Sequence, residues 1–163
     1  MSVNKHRPHL FLIPEDDANR QLAVGFLNHY AVTDRVVDMR NPAGGWSKVL
    51  DVFETEYLKL LRGNENGHVV MLIDFDEKVD DRRALFEQRI PHDLRSRVFV
   101  LGSKDEPETL KRELKKKPFE SIGGELALGC LKDDLGLWGH AHLMHNNSEL
   151  QRLVKLVKPI LFQ

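Results

Sequence analysis

Two groups of acidic residues each follow an apolar run of the sequence. Glu-Asp-Asp at 15–17 follows the run at 9–14, and Asp-Phe-Asp at 74–76 follows the run at 68–73. Carboxylates held a few ångströms apart repel one another, so they either take up protons or bind a divalent cation. Ligand sets made only of oxygen favour Mg²⁺ or Mn²⁺ over zinc or copper. If the two runs are neighbours in the fold, these acids predict a Mg²⁺ (or Mn²⁺) site.

The Asp-x-Asp pattern strengthens this prediction. On an extended strand, successive side chains point to opposite faces, so Asp74 and Asp76 would share one face while Phe75 points into the core. The two carboxylates are therefore expected to act together.

The elements that must position these acids are predicted from hydrophobic periodicity. Apolar runs at 9–14, 35–39, 68–73 and 98–101 predict strands. Amphipathic spacing predicts helices that start near Asp17, at 46, near 81, after 106, at 119 and at Ser148. Buried strands that alternate with such helices imply an α/β fold, a mainly parallel four-stranded sheet with helices on both faces. Ligands of such sheets gather beyond the carboxyl ends of the strands, where both acid groups lie.

Local signals predict how three of these helices begin. Asp17 is predicted to cap the first helix, and Ser148 the last. Ser103-Lys-Asp-Glu106 matches a capping box in front of Pro107. The first helix is expected to bury Tyr30, and Cys130 is expected to be a core residue.

Composition limits the classes of function. The 163 residues carry 24 Lys and Arg against 25 Asp and Glu, so no overall basic field predicts nucleic-acid binding. A nucleic-acid surface would have to be local, and its phosphate contacts are expected among Arg82, Arg83, Arg95, Arg97 and 111–117. The single cysteine excludes an internal disulfide. No apolar run approaches the ~20 residues of a membrane span, and no secretory signal is recognisable, so a cytoplasmic protein without a membrane partner is expected.

The acidic residues and their order along the chain resemble the motif pattern of the Toprim fold, which occurs in primases, type II topoisomerases and OLD-family nucleases. That pattern has a glutamate after its first strand, here Glu15, and an Asp-x-Asp after its third, here Asp74 and Asp76. Asp16 stands where the family usually has glycine. The resemblance covers about residues 9–115 and implies a Toprim-like three-layer sandwich. Residues 1–163 are then one domain, whose C-terminal helical part spans about 116–163.

The resemblance implies Mg²⁺-dependent phosphodiester chemistry on nucleic acid, carried out by a nuclease or a nuclease subunit. Glu15, Asp74 and Asp76 would bind the first metal, with Asp16 beside them. Asp105 or Glu106 would help with a second metal, and Lys104 would neutralise developing phosphate charge. Relatives without an ATPase domain of their own imply a separate ATPase partner. For Glu106, helix capping is the alternative role.

Two other functions use the same residues. In a two-component receiver domain, the acids at 15–17 would hold Mg²⁺, Asp74 would accept the phosphoryl group and Ser103 would be the switch hydroxyl. A catalytically inert interaction domain would keep only the fold. The sequence contains no P-loop, no Gly-x-Gly-x-x-Gly and no Gly-x-Ser-x-Gly, so it offers no support for those nucleotide and hydrolase chemistries.

A histidine segment, residues 138–147, is the second candidate region. His140, His142 and His145 could bind zinc or contact substrate phosphates, or they could pack against the sheet and bond to the backbone.

Overall fold

The computed structural model describes residues 3–163, and its centre is a four-stranded sheet. The strands are β1 (His9–Pro14), β2 (Val37–Met39), β3 (Gly67–Leu72) and β4 (Val98–Leu101). Their spatial order is β2-β1-β3-β4, and every neighbouring pair is parallel. The α/β class and the parallel sheet predicted from the apolar runs are confirmed.

Helices connect the strands and continue after β4. They are α1 (Asp17–Leu27), α2 (Trp46–Val52), α3 (Leu58–Gly63), α4 (Val79–Arg89), α5 (Pro107–Glu113), α6 (Phe119–Leu131), α7 (Asn147–Leu156) and α8 (Lys158–Leu161). A π-helical turn, Phe53–Tyr57, joins α2 to α3, so the amphipathic helix predicted from residue 46 runs on with one widened turn. Within residues 3–163, none of the helices has the length and apolar character needed to cross a bilayer.

The sheet separates two apolar clusters because successive strand residues face opposite sides. Leu10 and Leu12 of β1 join α1, α5, α6 and α7 on one face. Phe11 and Ile13 join α2, α3 and α4 on the other face. Complete burial of such a side chain contributes roughly 1.5–3 kcal/mol. These two clusters give the three layers of the expected sandwich.

Two glycines let α1 and α6 touch through their backbones. A Cβ atom on Gly25 would lie 2.0 Å from the carbonyl oxygen of Glu120, and one on Gly123 would lie 2.1 Å from that of Leu22. Neither position has room for a side chain. This contact fixes α1, whose N-terminal end carries part of the candidate site.

The outer edge of β4 is covered by side chains instead of a further strand. The Val100 N–H donates to the Glu149 carboxylate (2.9 Å), and the Val100 carbonyl accepts from Arg83 (3.2 Å). Arg152 donates to the Val98 carbonyl (3.3 Å). Polar backbone groups of this edge strand are therefore already paired.

The predicted cap of α1 is wrong by one residue. Asp16 caps the helix, because its Oδ1 accepts the Asn19 backbone N–H (3.0 Å). Asp17 lies in the first turn, where Arg20 and Gln21 donate to its carboxylate and lower its pKa.

Two further capping predictions are also wrong. Ser103 does not cap α5, since its hydroxyl donates to the Asp105 carbonyl (3.4 Å), and Glu106 precedes the helix without a side-chain cap. The last long helix, α7, begins at Asn147 without a cap from Ser148. Asn146, which precedes α7, uses its side chain to bond Gly102 and Leu143 instead of capping the helix.

Two predictions about apolar positions have different outcomes. Tyr30 is 89% exposed, because α1 ends at Leu27 and the chain turns away before the tyrosine. Cys130 packs against the first cluster as a half-buried residue, and burial raises the pKa of its thiol to about 11. The thiol is therefore protonated at neutral pH and unsuited to nucleophilic attack.

Candidate functional site

The candidate site lies where the strand order of the sheet reverses. The chain leaves β1 toward β2 on one side, and β3 and β4 lie on the other side, so β1 and β3 flank the switch point of the sheet, which is the position of the ligand crevice in open α/β sheets. Glu15 follows β1 directly, and Asp74 follows β3 by two residues. The Asp74 backbone N–H donates to Glu15 Oε2 over 2.6 Å. The structure thus brings the two acidic groups into contact.

Asn19 joins the start of α1 to these acids. Its side-chain amide donates to Asp74 Oδ1 (2.8 Å) and to Asp16 Oδ1 (3.1 Å). Asn19 is buried, as are Glu15 and Asp74. One amide therefore holds two carboxylates that would otherwise repel each other.

The electrostatics of the site are those of a cluster with too much negative charge. Burial raises the pKa of Asp74 to about 8, the Asn19 hydrogen bond opposes this rise, and repulsion from Glu15 and Asp16 adds to it. Burial also raises the pKa of Glu15, against the opposing bond from the Asp74 N–H. Protons or a cation must compensate such a cluster near neutral pH.

Asp76 adopts a different geometry from the one expected. β3 ends at Leu72, and Asp76 has a left-handed backbone with φ 48°, so the extended Asp-x-Asp prediction is wrong. Its Oδ2 accepts from Arg82 Nη1 (2.6 Å). Phe75 is fully buried in the core, as predicted. Because the chain turns at 76–77, Asp74 and Asp76 do not lie on one face of a strand.

The loop after β4 fixes this turn through its backbone. Three N–H groups donate to three carbonyls of that loop: Phe75 to Ser103 (3.1 Å), Asp76 to Asp105 (3.3 Å) and Glu77 to Lys104 (2.8 Å). The residues predicted for the second metal therefore run beside the Asp-x-Asp turn.

The Lys104 side chain lies near the same turn, whereas the Asp105 side chain bonds to α5. Lys104 Nζ lies 3.8 Å from the Glu77 carboxylate, and Asp105 Oδ2 accepts from the Thr109 hydroxyl (2.9 Å). Glu106 is exposed. Lys104 and Asp105 therefore approach the turn through their carbonyl oxygens.

The donor chemistry of the acidic cluster fits a hard cation, because Glu15, Asp16, Asp74 and Asp76 offer only oxygen. Their present arrangement does not preform a metal centre. Among residues 3–163, no group of three or more His, Cys, Asp or Glu side chains is arranged to hold a metal ion. Protein donors from the Asp74 backbone, Asn19 and Arg82 occupy oxygens that a cation would use.

The histidine segment is tied to neighbouring protein groups. His140 Nε2 and His142 Nε2 lie 3.2 and 3.1 Å from the Glu113 carboxylate, and their rings stack at 5.5 Å. His145 Nε2 lies 2.7 Å from the Gly102 carbonyl oxygen, its ring packs edge-on against Phe75, and burial lowers its pKa. The His145 contacts are of the packing and backbone-bonding kind, whereas His140 and His142 pair with a side-chain carboxylate that the sequence did not reveal.

Several arginines expected to contact phosphate are used inside the fold. Arg82 is buried and bonds to the Asp74 carbonyl and to Asp76. Arg83 donates to the Val100 carbonyl, and Arg97 donates to three backbone carbonyls around the start of β3. Arg82 is therefore not a solvated surface cation, because its guanidinium is buried between the Asp74 carbonyl and the half-exposed Asp76 carboxylate.

Sequence reasoning missed Asn19, Arg82 and Trp46 as parts of this site. The guanidinium of Arg82 lies 4.4 Å from the centre of the Trp46 ring. One signal was present: Asn19 stands three residues after Asp16, the spacing at which a cap residue meets the first helical turn. Arg82 carries no comparable signal, since an arginine in a helix is ordinarily solvated.

Comparisons with protein-family models, with curated proteins and with solved structures find no match to this chain. Function is therefore inferred from the residues around the crevice.

Proposed function

We propose that the chain binds Mg²⁺ or Mn²⁺ at the acidic cluster of Glu15, Asp16, Asp74 and Asp76, and uses it in nucleic-acid phosphodiester chemistry. This is the function of a Toprim-like nuclease or nuclease subunit. The observation that supports it best is the 2.6 Å contact between Glu15 Oε2 and the Asp74 N–H at the switch point of the sheet. That contact gathers carboxylates from two separate loops in a crevice where α/β proteins bind ligands.

Each residue has a chemical role in this proposal. Glu15, Asp74 and Asp76 would hold the cation, which, when bound, stabilises charge on the attacking and leaving oxygens of a phosphodiester. Asn19 keeps the Asp74 carboxylate oriented. Lys104, half-exposed on the neighbouring loop, would offset negative charge on the phosphate. Asp105 or Glu106 would serve a second cation.

Nucleic acid is the proposed substrate, and a separate ATPase in the cytoplasm is the proposed partner. Lys111 and Arg112 lie in the last turn of α5, which follows the Lys104 loop. Phosphate contacts from such residues make affinity fall steeply with salt. Affinity for DNA or RNA that does not change with salt would argue against this surface.

Calorimetric titration with Mg²⁺ and Mn²⁺, together with cleavage assays on single- and double-stranded DNA and RNA, tests the proposal. Asp74→Asn removes one charge with little change of shape, and Asp51→Asn makes the same change at an exposed site on α2. We expect the wild type and Asp51→Asn to bind the cation and cleave. Asp74→Asn should bind at least tenfold more weakly and lose cleavage. Equal behaviour of the two variants would contradict the proposal.

A phosphoacceptor domain is the second candidate, because Asp74 lies beside Glu15 and the Asp16-bound amide of Asn19. Two observations favour the nuclease. The sheet of residues 3–163 has four strands, so the fifth strand that carries the receiver lysine is missing from it. Ser103 is buried, with its hydroxyl on the Asp105 carbonyl. Labelling of Asp74 by acetyl phosphate without nucleic-acid cleavage would favour the phosphoacceptor domain instead. If neither labelling nor cleavage occurs, the protein would be an interaction domain.

A further inference from the structure

Arg82 is a buried cation inside an acidic site. It is 8% exposed and lies in the first part of α4, where its Nη1 donates to the Asp74 carbonyl (2.8 Å) and to Asp76 Oδ2 (2.6 Å). Its guanidinium also lies over the Trp46 ring at 4.4 Å. A buried charge is tolerated only with such partners, because its desolvation is costly. Removal of one partner would leave the others to hold it.

The Asp76 side of this ion pair is held in an uncommon backbone conformation. Asp76 and Glu77 have φ values of 48° and 63°, the left-handed region that non-glycine residues seldom occupy. Hydrogen bonds from their N–H groups to the loop after β4 keep the turn in place. The Asp76 carboxylate remains about half exposed and turned toward Arg82. It is therefore a carboxylate at the crevice that already has a cation.

We propose that Arg82 is a positioning residue, an internal counter-cation that holds Asp76 while no metal is bound and releases it to a divalent cation. This inference rests on the proposed function. The guanidinium and the metal compete for one carboxylate, so Arg82 weakens metal affinity and in return keeps the acidic turn folded without metal. The same competition explains why the side chains of the cluster are not arranged as a preformed metal centre.

Trp46 makes the release measurable without an activity assay. It is the indole in contact with Arg82, and it packs on the face of the sheet formed with α2, α3 and α4. The other tryptophan, Trp138, packs on the opposite face and donates to the Leu126 carbonyl (3.0 Å). A change around Arg82 should therefore alter the emission of Trp46 and not that of Trp138.

The experiment combines Mg²⁺ titration by tryptophan fluorescence with calorimetry, and Mg²⁺ is chosen because it does not quench indoles. We expect Mg²⁺ to shift the emission of the wild type, and the shift to vanish in Trp46→Phe. Arg82→Gln should bind Mg²⁺ about fivefold more tightly, since the loss of a nearby unit charge is worth about 1 kcal/mol in a hydrated site. Asp80→Asn, an exposed change on the same helix, should leave the affinity unchanged.

Two further variants keep the test valid if Arg82→Gln fails to fold. Arg82→Lys keeps the charge, but a lysine lacks the planar fork that reaches both acceptors. The affinity for Mg²⁺ should therefore rise by a smaller factor than in Arg82→Gln. Asp76→Asn frees Arg82 without adding metal, so its cation-free emission should match that of the Mg²⁺-bound wild type.

The outcomes separate the two proposals. In one outcome, the calorimeter records Mg²⁺ binding while the Trp46 emission stays unchanged and the Arg82 variants bind no more tightly. That result overturns the release of Asp76 by Arg82 and leaves the metal site supported. Absence of Mg²⁺ heat in the wild type and in the Arg82 variants alike overturns both. Mg²⁺ heat together with the emission shift and the tighter Arg82 variants supports both.

Discussion

The acidic cluster and the histidine segment both collect titratable side chains near the carboxyl edge of the sheet, but they differ in how their charges are compensated. His140 and His142 share the Glu113 carboxylate, so opposite or neutral partners face each other. The acidic cluster sets four carboxylates around one guanidinium and one amide. The comparison shows that unbalanced charge marks the candidate site. A high number of titratable residues in a short stretch of sequence does not.

Two buried asparagines repeat this contrast. Asn146 bonds to the Gly102 N–H (3.2 Å), the Gly102 carbonyl (2.9 Å) and the Leu143 carbonyl (2.9 Å), so its amide serves the backbone. Asn19 bonds to two carboxylates. Asn146 therefore stabilises a loop, whereas Asn19 stabilises two neighbouring carboxylates.

Gly102→Ala should have the largest effect, because Gly102 is shared by both regions. A Cβ atom there would lie 1.7 Å from the Ile73 carbonyl oxygen, which belongs to the backbone just before Asp74. The backbone must move, so we expect a loss of more than about 4 kcal/mol of unfolding free energy. Urea denaturation measures this. Gly63→Ala, at a helix end with nothing within 4 Å, is the control, and equal stability of the two variants would contradict the packing.

Asp74→Asn should stabilise the fold in the absence of cations, the opposite sign to a change in the histidine segment. The folded pKa of about 8 lies above the ordinary 3.8, so the folded state retains a proton that the unfolded state loses as pH rises between these values. Stability is thus greatest below pH 4 and declines up to pH 8 for this group. At about 1.4 kcal/mol per pKa unit, the variant should gain up to about 4 kcal/mol at pH 7.

Urea denaturation from pH 4 to pH 8.5 checks this expectation. The wild type should lose stability across that range more steeply than Asp74→Asn, whereas Asp51→Asn should follow the wild type. Parallel curves for the wild type and Asp74→Asn would mean that the cluster does not carry excess charge.

The two asparagines should be next in size, and they should differ in pH dependence. Asn146→Ala removes bonds from a fully buried amide and should cost about 2 kcal/mol at every pH. Asn19→Ala removes a donor that favours ionised Asp74, so its cost should grow as pH rises through 8, where the folded wild type begins to ionise Asp74 and the variant does not. Matched denaturation series at pH 5 and pH 9 distinguish them. A pH-dependent cost at Asn146 would remove the contrast between the regions.

Glu113→Gln should have the smallest effect. The carboxylate is half exposed, so loss of its charge beside two imidazoles should cost below about 1 kcal/mol. Mg²⁺ affinity should be unchanged. Glu108→Gln, an exposed change on the same helix, is the matched variant, and a loss of Mg²⁺ binding in Glu113→Gln alone would show that the histidine segment belongs to the site.

The strands, the parallel sheet and most helices could be predicted, because continuous apolar runs and 3.6-residue spacing record burial directly. The contact between Glu15 and Asp74 needed one assumption, that β1 and β3 are neighbours. Helix caps were less predictable. Asp16 and Asp17 are equally good caps by residue type, and the choice depends on which of them meets the Asn19 N–H.

The internal chemistry of the site could not be predicted from residue types. The turn at Asp76 is set by three carbonyls from the loop after β4, more than twenty residues further along the chain. Arg82 lies on a helix where arginine is usually solvated, and only the tertiary fold lays it over Trp46. Such partners come from distant segments, so local periodicity carries no record of them.

The covered edge of β4 also has a consequence for how copies of this chain meet. Open strand edges invite lateral addition of another molecule, which leads to fibrillar assembly or exchanged strands. A strand from another molecule can pair with β4 only after the hydrogen bonds from its backbone to Glu149, Arg152 and Arg83 are broken. The β4 edge of the sheet should therefore resist lateral addition of another molecule, because three side chains already pair its outward-facing backbone groups.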